Sequence, residues 1–200
     1  MSRAEAERRW DPWTPSVIAA LLAHTPVDWY VAGGWAIDLF LGSLTRAHAD
    51  LEIGVPRGDF HHLADTFPGY AWDAVGDGRV WPYAEVADDP GIHQTWLRDL
   101  TTGTYHLDVF REPHEGTTWV CRRDPTITLP YTELVRRTGS GIPYAAPEVT
   151  LLFKAKANRV KDAGDFARCL PLLSPLSRDR LLTWLDRVHP GHPWLPSLTA

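Results

Sequence analysis

Over its first two thirds the chain strings together short apolar segments separated by glycine and proline. After that the apolar residues fall three and four apart, the spacing of helices. Residues 29–32 are apolar and β-branched enough for a short strand, and Gly33-Gly34 follows directly, a pair that lets the backbone turn sharply beside a ligand. Residues 35–41 read as a helix ended by Gly42. Residues 50–55 (DLEIGV) alternate polar and apolar with the two-residue period of a half-buried strand, which projects Asp50 and Glu52 from one face. Upstream, residues 1–14 read as a loose arm with Trp10 and Trp13 as anchors, and 15–23 as a helix opened by Pro15.

Further along, Phe60, Leu63 and Phe67 predict a helix over 58–66. Residues 71–75 and 79–86 predict strands around the turn Gly76-Asp77-Gly78, and 93–99 and 104–111 a second hairpin across Thr101-Thr102-Gly103. In that last strand His106, Asp108 and Phe110 alternate with Leu107 and Val109, so Asp108 is a lone acid among apolar neighbours. A strand over 119–122 and a turn at 122–125 follow. From Pro143 helices take over: 143–147 reads as a linker, and a helix from Pro147 to about Lys161 carries Val149, Leu152, Phe153 and Val160 as its apolar stripe. Helices over 165–173 and 177–188 follow, with Ser177 as N-cap. The change at 143 predicts two domains, 1–142 and 143–200.

Composition narrows the function classes. A chain of 200 residues with 44% hydrophobic and 22% charged residues is long enough to bury a core. Its net charge of −5 and pI of about 6.0 argue against nucleic acid as a partner, because backbone binding needs clustered Lys and Arg. No apolar run reaches the roughly 20 residues of a membrane span and the N-terminus lacks a signal-like apolar core, which predicts a cytoplasmic protein. Cys121 and Cys169 stand in unrelated contexts and read as two free, buried thiols. There is no Walker loop, no G-x-G-x-x-G and no G-x-S-x-G elbow, and His189 and His192 read as a capped helix end.

Two like charges side by side on one strand are costly unless a cation sits between them, and hard oxygen ligands suit magnesium. The helix after the diglycine presents unpaired N–H groups and a positive dipole end, a natural seat for phosphate. Strand, Gly-Gly, helix, then D-L-E-I resembles the DNA polymerase β-type nucleotidyltransferase superfamily. The wording VAGGWAIDLFLG followed by R-A-H-A-D-L-E-I is similar to its small bacterial branch of aminoglycoside and lincosamide nucleotidyltransferases. Gly34 stands where Ser is frequent in the superfamily, and Glu52 where many members carry Asp.

The resemblance implies an α+β fold: a polymerase β-like nucleotidyltransferase core, a short mixed sheet with helices, plus a C-terminal helical domain. It implies transfer of a nucleoside monophosphate, AMP from ATP, to a hydroxyl of a small aminoglycoside-like acceptor with Mg2+, in a monomer or homodimer. Asp50, Glu52 and Asp108 would hold the metal and Asp108 would serve as general base, with other acids, Asp99 among them, available for the third position. Gly33, Gly34, Arg46, His48 and Lys154 would face the nucleotide phosphates. Asp162 and Asp165 read as structural acids or acceptor-amine contacts, and His93, Trp96 and Arg98 as acceptor contacts or hairpin packing. Two further classes are compatible with the same residues: an antitoxin that nucleotidylates a protein partner, and a non-catalytic nucleotide-binding regulatory module.

Overall fold

The computed structural model describes residues 1–87 and 89–199. In chain order the elements are α1 (Arg3–Glu7), α2 (Pro15–Leu21), β1 (Tyr30–Val31), α3 (Gly33–Leu41), β2 (Glu52–Pro56), α4 (Phe60–Ala64), β3 (Tyr70–Gly76), β4 (Arg79–Pro82), β5 (Gln94–Asp99) and β6 (Tyr105–Glu112). They continue as β7 (His114–Glu115), β8 (Thr118–Val120), β9 (Thr128–Pro130), α5 (Tyr131–Leu134), β10 (Val135–Arg137), β11 (Pro143–Ala145), α6 (Pro147–Ala155), α7 (Val160–Cys169), α8 (Pro175–Val188) and α9 (Leu195–Thr199). Among the described residues no helix is long and apolar enough to cross a membrane.

The chain divides into two compact units: Met1–Val31 with Ala47–His114, and Ala32–Arg46 with Glu115–Ala200. The division therefore falls at 115 rather than 143, and the second unit also takes in the diglycine helix. Composition misplaces the boundary because β8 to β11 are short strands like those before them, yet α5 packs on β8 and β9, and α3 on β11 and α6.

In the first unit the strands run β1-β2-β6-β5-β3-β4. All pairs are antiparallel except β2 with β6, so the sheet is mixed, as expected. Leu51, Ile53 and Val55 are fully buried on one face of β2, in keeping with the alternation read from the sequence. Asp50 falls just ahead of the strand and is exposed. The turn at Asp77-Gly78, φ 43° and 73°, closes the first hairpin, and β4 stops at Pro82, where a 3-10 turn replaces the expected continuation to 86.

Residues 1–14 are not a loose arm. Ahead of the start of β2 they pair with the start of β6: the Tyr105 N–H donates to the Arg9 carbonyl (2.8 Å), Asp11 N–H to the Tyr105 carbonyl (2.9 Å) and Trp13 N–H to the His106 carbonyl (3.0 Å). The two tryptophans do anchor it, Trp10 edge-on to Trp96 at 5.1 Å and Trp13 stacked on His106 at 5.2 Å. A bulge between Leu97 and Arg98 shifts the β5–β6 register, so Tyr105 faces Arg98, on the side of the sheet that carries Trp96 and Asp108. There the Tyr105 hydroxyl donates to Asp73 (2.8 Å), and Arg98 pairs with Asp73 at 2.6 Å.

In the second unit α6 ends at Ala155, well before Lys161. Asn158 takes φ 43° and α7 begins anew at Val160, which is 92% exposed rather than part of an apolar stripe. Arg123 caps the helix end by donating to the Leu152 and Phe153 carbonyls, both at 2.9 Å. Residues 143–145 form buried β11, paired with β10, in place of a linker. α8 opens at Pro175 with Ser174 as its cap, because the Ser174 hydroxyl accepts from the Ser177 N–H (3.1 Å). His189 closes α8 and His192 hydrogen-bonds the Ala155 carbonyl, the capped end expected there. Both cysteines are free and buried.

Tyr30 and Gly54 face each other across β1 and β2, and a Cβ built on Gly54 collides with the Tyr30 ring. Gly54→Ala is therefore expected to cost about 1–3 kcal/mol, read as a lower urea midpoint. An unchanged midpoint would show that the ring has room to move.

Candidate functional site

The acids of the first unit are placed by strand register. Glu52 and Asp108 are direct partners in the parallel β2–β6 pair, so both project from one face, and the Asp108 N–H donates to the Leu51 carbonyl at 2.8 Å. Asp50 lies two residues ahead of Glu52. Asp108 is 2% exposed. Its Oδ2 accepts from Gln94, the diagonal neighbour on β5, whereas its Oδ1 is buried with no hydrogen-bond partner. Burial first, then the charge of Glu52, push the Asp108 carboxyl well above the ordinary carboxylate range; the Gln94 hydrogen bond opposes this and the Asp50 charge adds a smaller push.

An acceptor oxygen buried without a donor is costly, and a cation would satisfy it while removing the repulsion among the three acids. The donor set is hard oxygen, as a magnesium-class ion prefers. Among the described residues, however, no group of three His, Cys, Asp or Glu side chains already stands in metal-holding geometry. Glu52 and Asp108 share a face, and Asp50 adds its charge to theirs. The structure thus brings together Glu52 and Asp108, with Asp50 adjoining, and leaves Asp99 in its turn accepting the N–H groups of Thr101 and Thr102. Trp96 is core and Arg98 is committed to Asp73, the packing alternative for that hairpin. Gln94 was missed, although its place on β5 two residues before Trp96 is a readable signal.

In the second unit the diglycine opens α3. Gly33 takes φ 59°, a conformation glycine adopts without strain, and Ala32 at the N-cap brings no side-chain acceptor to the first-turn N–H groups. Gly34 is the second residue of the helix. Arg46 follows the helix and reaches Asp165 on α7 at 3.5 Å.

Lys154, expected at a triphosphate, is 8% exposed and spends its ammonium on Asp165 (2.9 Å) and Asp162 (3.4 Å). Asp162 accepts from the Arg159 N–H (3.1 Å) and guanidinium (2.8 Å); burial alone would raise its carboxyl, but those bonds and the Lys154 charge hold it below the usual range. Asp162 and Asp165 are therefore the charge partners of buried Lys154, the structural alternative for those two acids. His48 lies half-buried in the connection back to the first unit.

The mixed sheet with its helices is a fold similar to that of solved antibiotic adenylyltransferases. Over 76% of this chain and 92% of the other it is similar to lincosamide antibiotic adenylyltransferase LnuA with lincomycin bound, at 18% identity and a TM-score of 0.54. It is similar to ANT(2'')-Ia in complex with adenylyl-2''-tobramycin over 86% and 97%, at 14% identity and a TM-score of 0.58. Residues 16–87 match the family model of aminoglycoside-2''-adenylyltransferase. A segment of 63 residues is 32% identical to 2''-aminoglycoside nucleotidyltransferases of Escherichia coli and Klebsiella pneumoniae, spanning 30% of this chain and only about a third (34%) of those relatives. The resemblance drawn from the diglycine and the paired acids is thus shared with the family model, the curated relatives and the solved folds.

Because the folded chain binds the Asp108 proton more tightly than the unfolded chain does, the associated stability is present below the ordinary value of 3.8 and is lost as pH rises through the folded value. Without divalent cation, the urea midpoint is expected to fall for this reason as pH rises above about 4, and Asp108→Asn to flatten that fall. Superimposable wild-type and Asp108→Asn profiles would show that Asp108 is not destabilised by its neighbours.

Proposed function

We propose that this chain is a divalent-cation-dependent nucleotidyltransferase that moves AMP from ATP to a hydroxyl of a small aminoglycoside-like acceptor. The observation that carries the reading is the register pairing of Glu52 with Asp108, whose buried Oδ1 has no donor. The family match over residues 16–87 supports it and directs it to aminoglycosides.

In this reading Asp50, Glu52 and Asp108 hold the ion, magnesium by its ligand chemistry. When bound, the ion neutralises charge on the α-phosphate and the leaving group. The acceptor oxygen attacks the α-phosphorus; the new O–P bond forms as the bond to the β-phosphate oxygen breaks, and pyrophosphate leaves. Asp108 takes the proton of the acceptor hydroxyl as general base, from its place opposite Glu52 on the same face of the sheet. The first-turn N–H groups at Gly33 and Gly34 receive phosphate oxygens, and Arg46 and His48 neutralise their charge. We assign Lys154 to charge balance inside the second unit, because its ammonium is buried between two carboxylates.

Incubation with α-labelled ATP, Mg2+ and a panel of aminoglycosides and lincosamides tests the proposal. Label is expected on at least one antibiotic, with turnover falling about a hundredfold or more in Asp50→Asn and in Asp108→Asn, since a metal contact is worth several kcal/mol in the transition state. Equal labelling by wild type and variants, or none by any of them, would refute it.

A further inference from the structure

We propose that Asp165 is a positioning residue for nucleotide binding, acting through Arg46. The inference rests on the reading of Arg46 as a phosphate contact. Asp165 is 1% exposed and receives three cations: Lys154 from α6 at 2.9 Å, Arg168 from its own helix at 3.4 Å and Arg46 at 3.5 Å. These contacts differ in kind. Lys154 is buried with Asp165 and shared with Asp162, so it holds the Asp165 carboxylate charged and in place. Arg46 stays one-fifth exposed (22%), and its contact is long for a charge-assisted bond. Asp165 thus aims the guanidinium without burying it.

A second tether holds the same stretch from the other side. The Thr45 hydroxyl donates to Asp38 at 2.6 Å, and Asp38 is a buried residue of α3. Residues 45 and 46 are therefore strung between a buried acid on the diglycine helix and a buried acid on α7, all within the second unit. A preset guanidinium binds a polyphosphate without the entropic cost of ordering a mobile loop.

Binding of the α,β-methylene analogue of ATP with Mg2+, followed by calorimetry on the full chain, tests the arrangement. Arg46→Ala is expected to weaken binding about tenfold and Asp165→Asn about three- to tenfold, with the double variant no weaker than Arg46→Ala alone. In turnover, Asp165→Asn raises KM for ATP while kcat and KM for the acceptor stay at the wild-type level. Thr45→Val leaves the Lys154–Asp165 pair intact and provides the test should Asp165→Asn not fold; it too is expected to weaken the analogue, and not additively with Arg46→Ala. Wild-type affinity in Asp165→Asn or Thr45→Val, or losses that add to those of Arg46→Ala, would overturn the inference. If Arg46→Ala binds like wild type, this inference alone falls; if the wild type fails to bind the analogue, the nucleotide reading falls with it.

Discussion

The parallel pairing of β2 with β6 is the constraint on which the first unit turns. It sets Glu52 beside Asp108 on one face of a sheet whose opposite face is filled by Leu51, Ile53 and Val55. Burying those apolar side chains fixes the register, since a one-residue slip would turn them into solvent and the acids inward. The same burial that stabilises the strand takes Asp108 out of water next to a like charge, so hydrophobic packing and electrostatic cost are two sides of one arrangement.

The second unit solves the opposite problem. There the buried acids Asp162 and Asp165 are matched by Lys154 and by arginines at the rim, and the ion cluster joins α6, α7 and the segment that leaves α3. Buried charges of this kind add little net stability over apolar packing, but removing one partner is costly, so they favour a single arrangement of the helices. The apolar stack of Phe166 on Trp194, 4.4 Å apart and nearly parallel, supplies packing alongside it.

Much of this was legible in the residues. The diglycine and the alternation at residues 50–55 yield the turn before α3 and the buried face of β2, because two-residue periodicity in a strand fixes direction; the pairing of Glu52 with Asp108 depends on the register between two strands, which periodicity alone does not set. What failed was length and partnership. A continuous helix to Lys161 was read because no glycine or proline interrupts FKAKANRVK; Asn158 breaks it by adopting positive φ, which its short polar side chain tolerates. That break turns α7 back so that Lys154 meets Asp162 and Asp165, a pairing that only the turn between two helices creates. The N-terminal arm was misjudged because its hold on β6 is made through backbone groups, which leave no trace in side-chain pattern. The boundary at 143 marked where helices begin rather than where contacts divide.

The account depends on the three acids of the first unit forming one cation site. The most direct measurement is a titration of the protein with Mn2+, an oxygen-seeking stand-in for magnesium, followed by the loss of free-ion electron paramagnetic resonance signal in wild type and in Asp108→Asn. Binding by the wild type that Asp108→Asn weakens at least about tenfold, the loss of a single charged ligand, is the predicted result. Indistinguishable titrations, or no binding by the wild type with and without ATP, would contradict it.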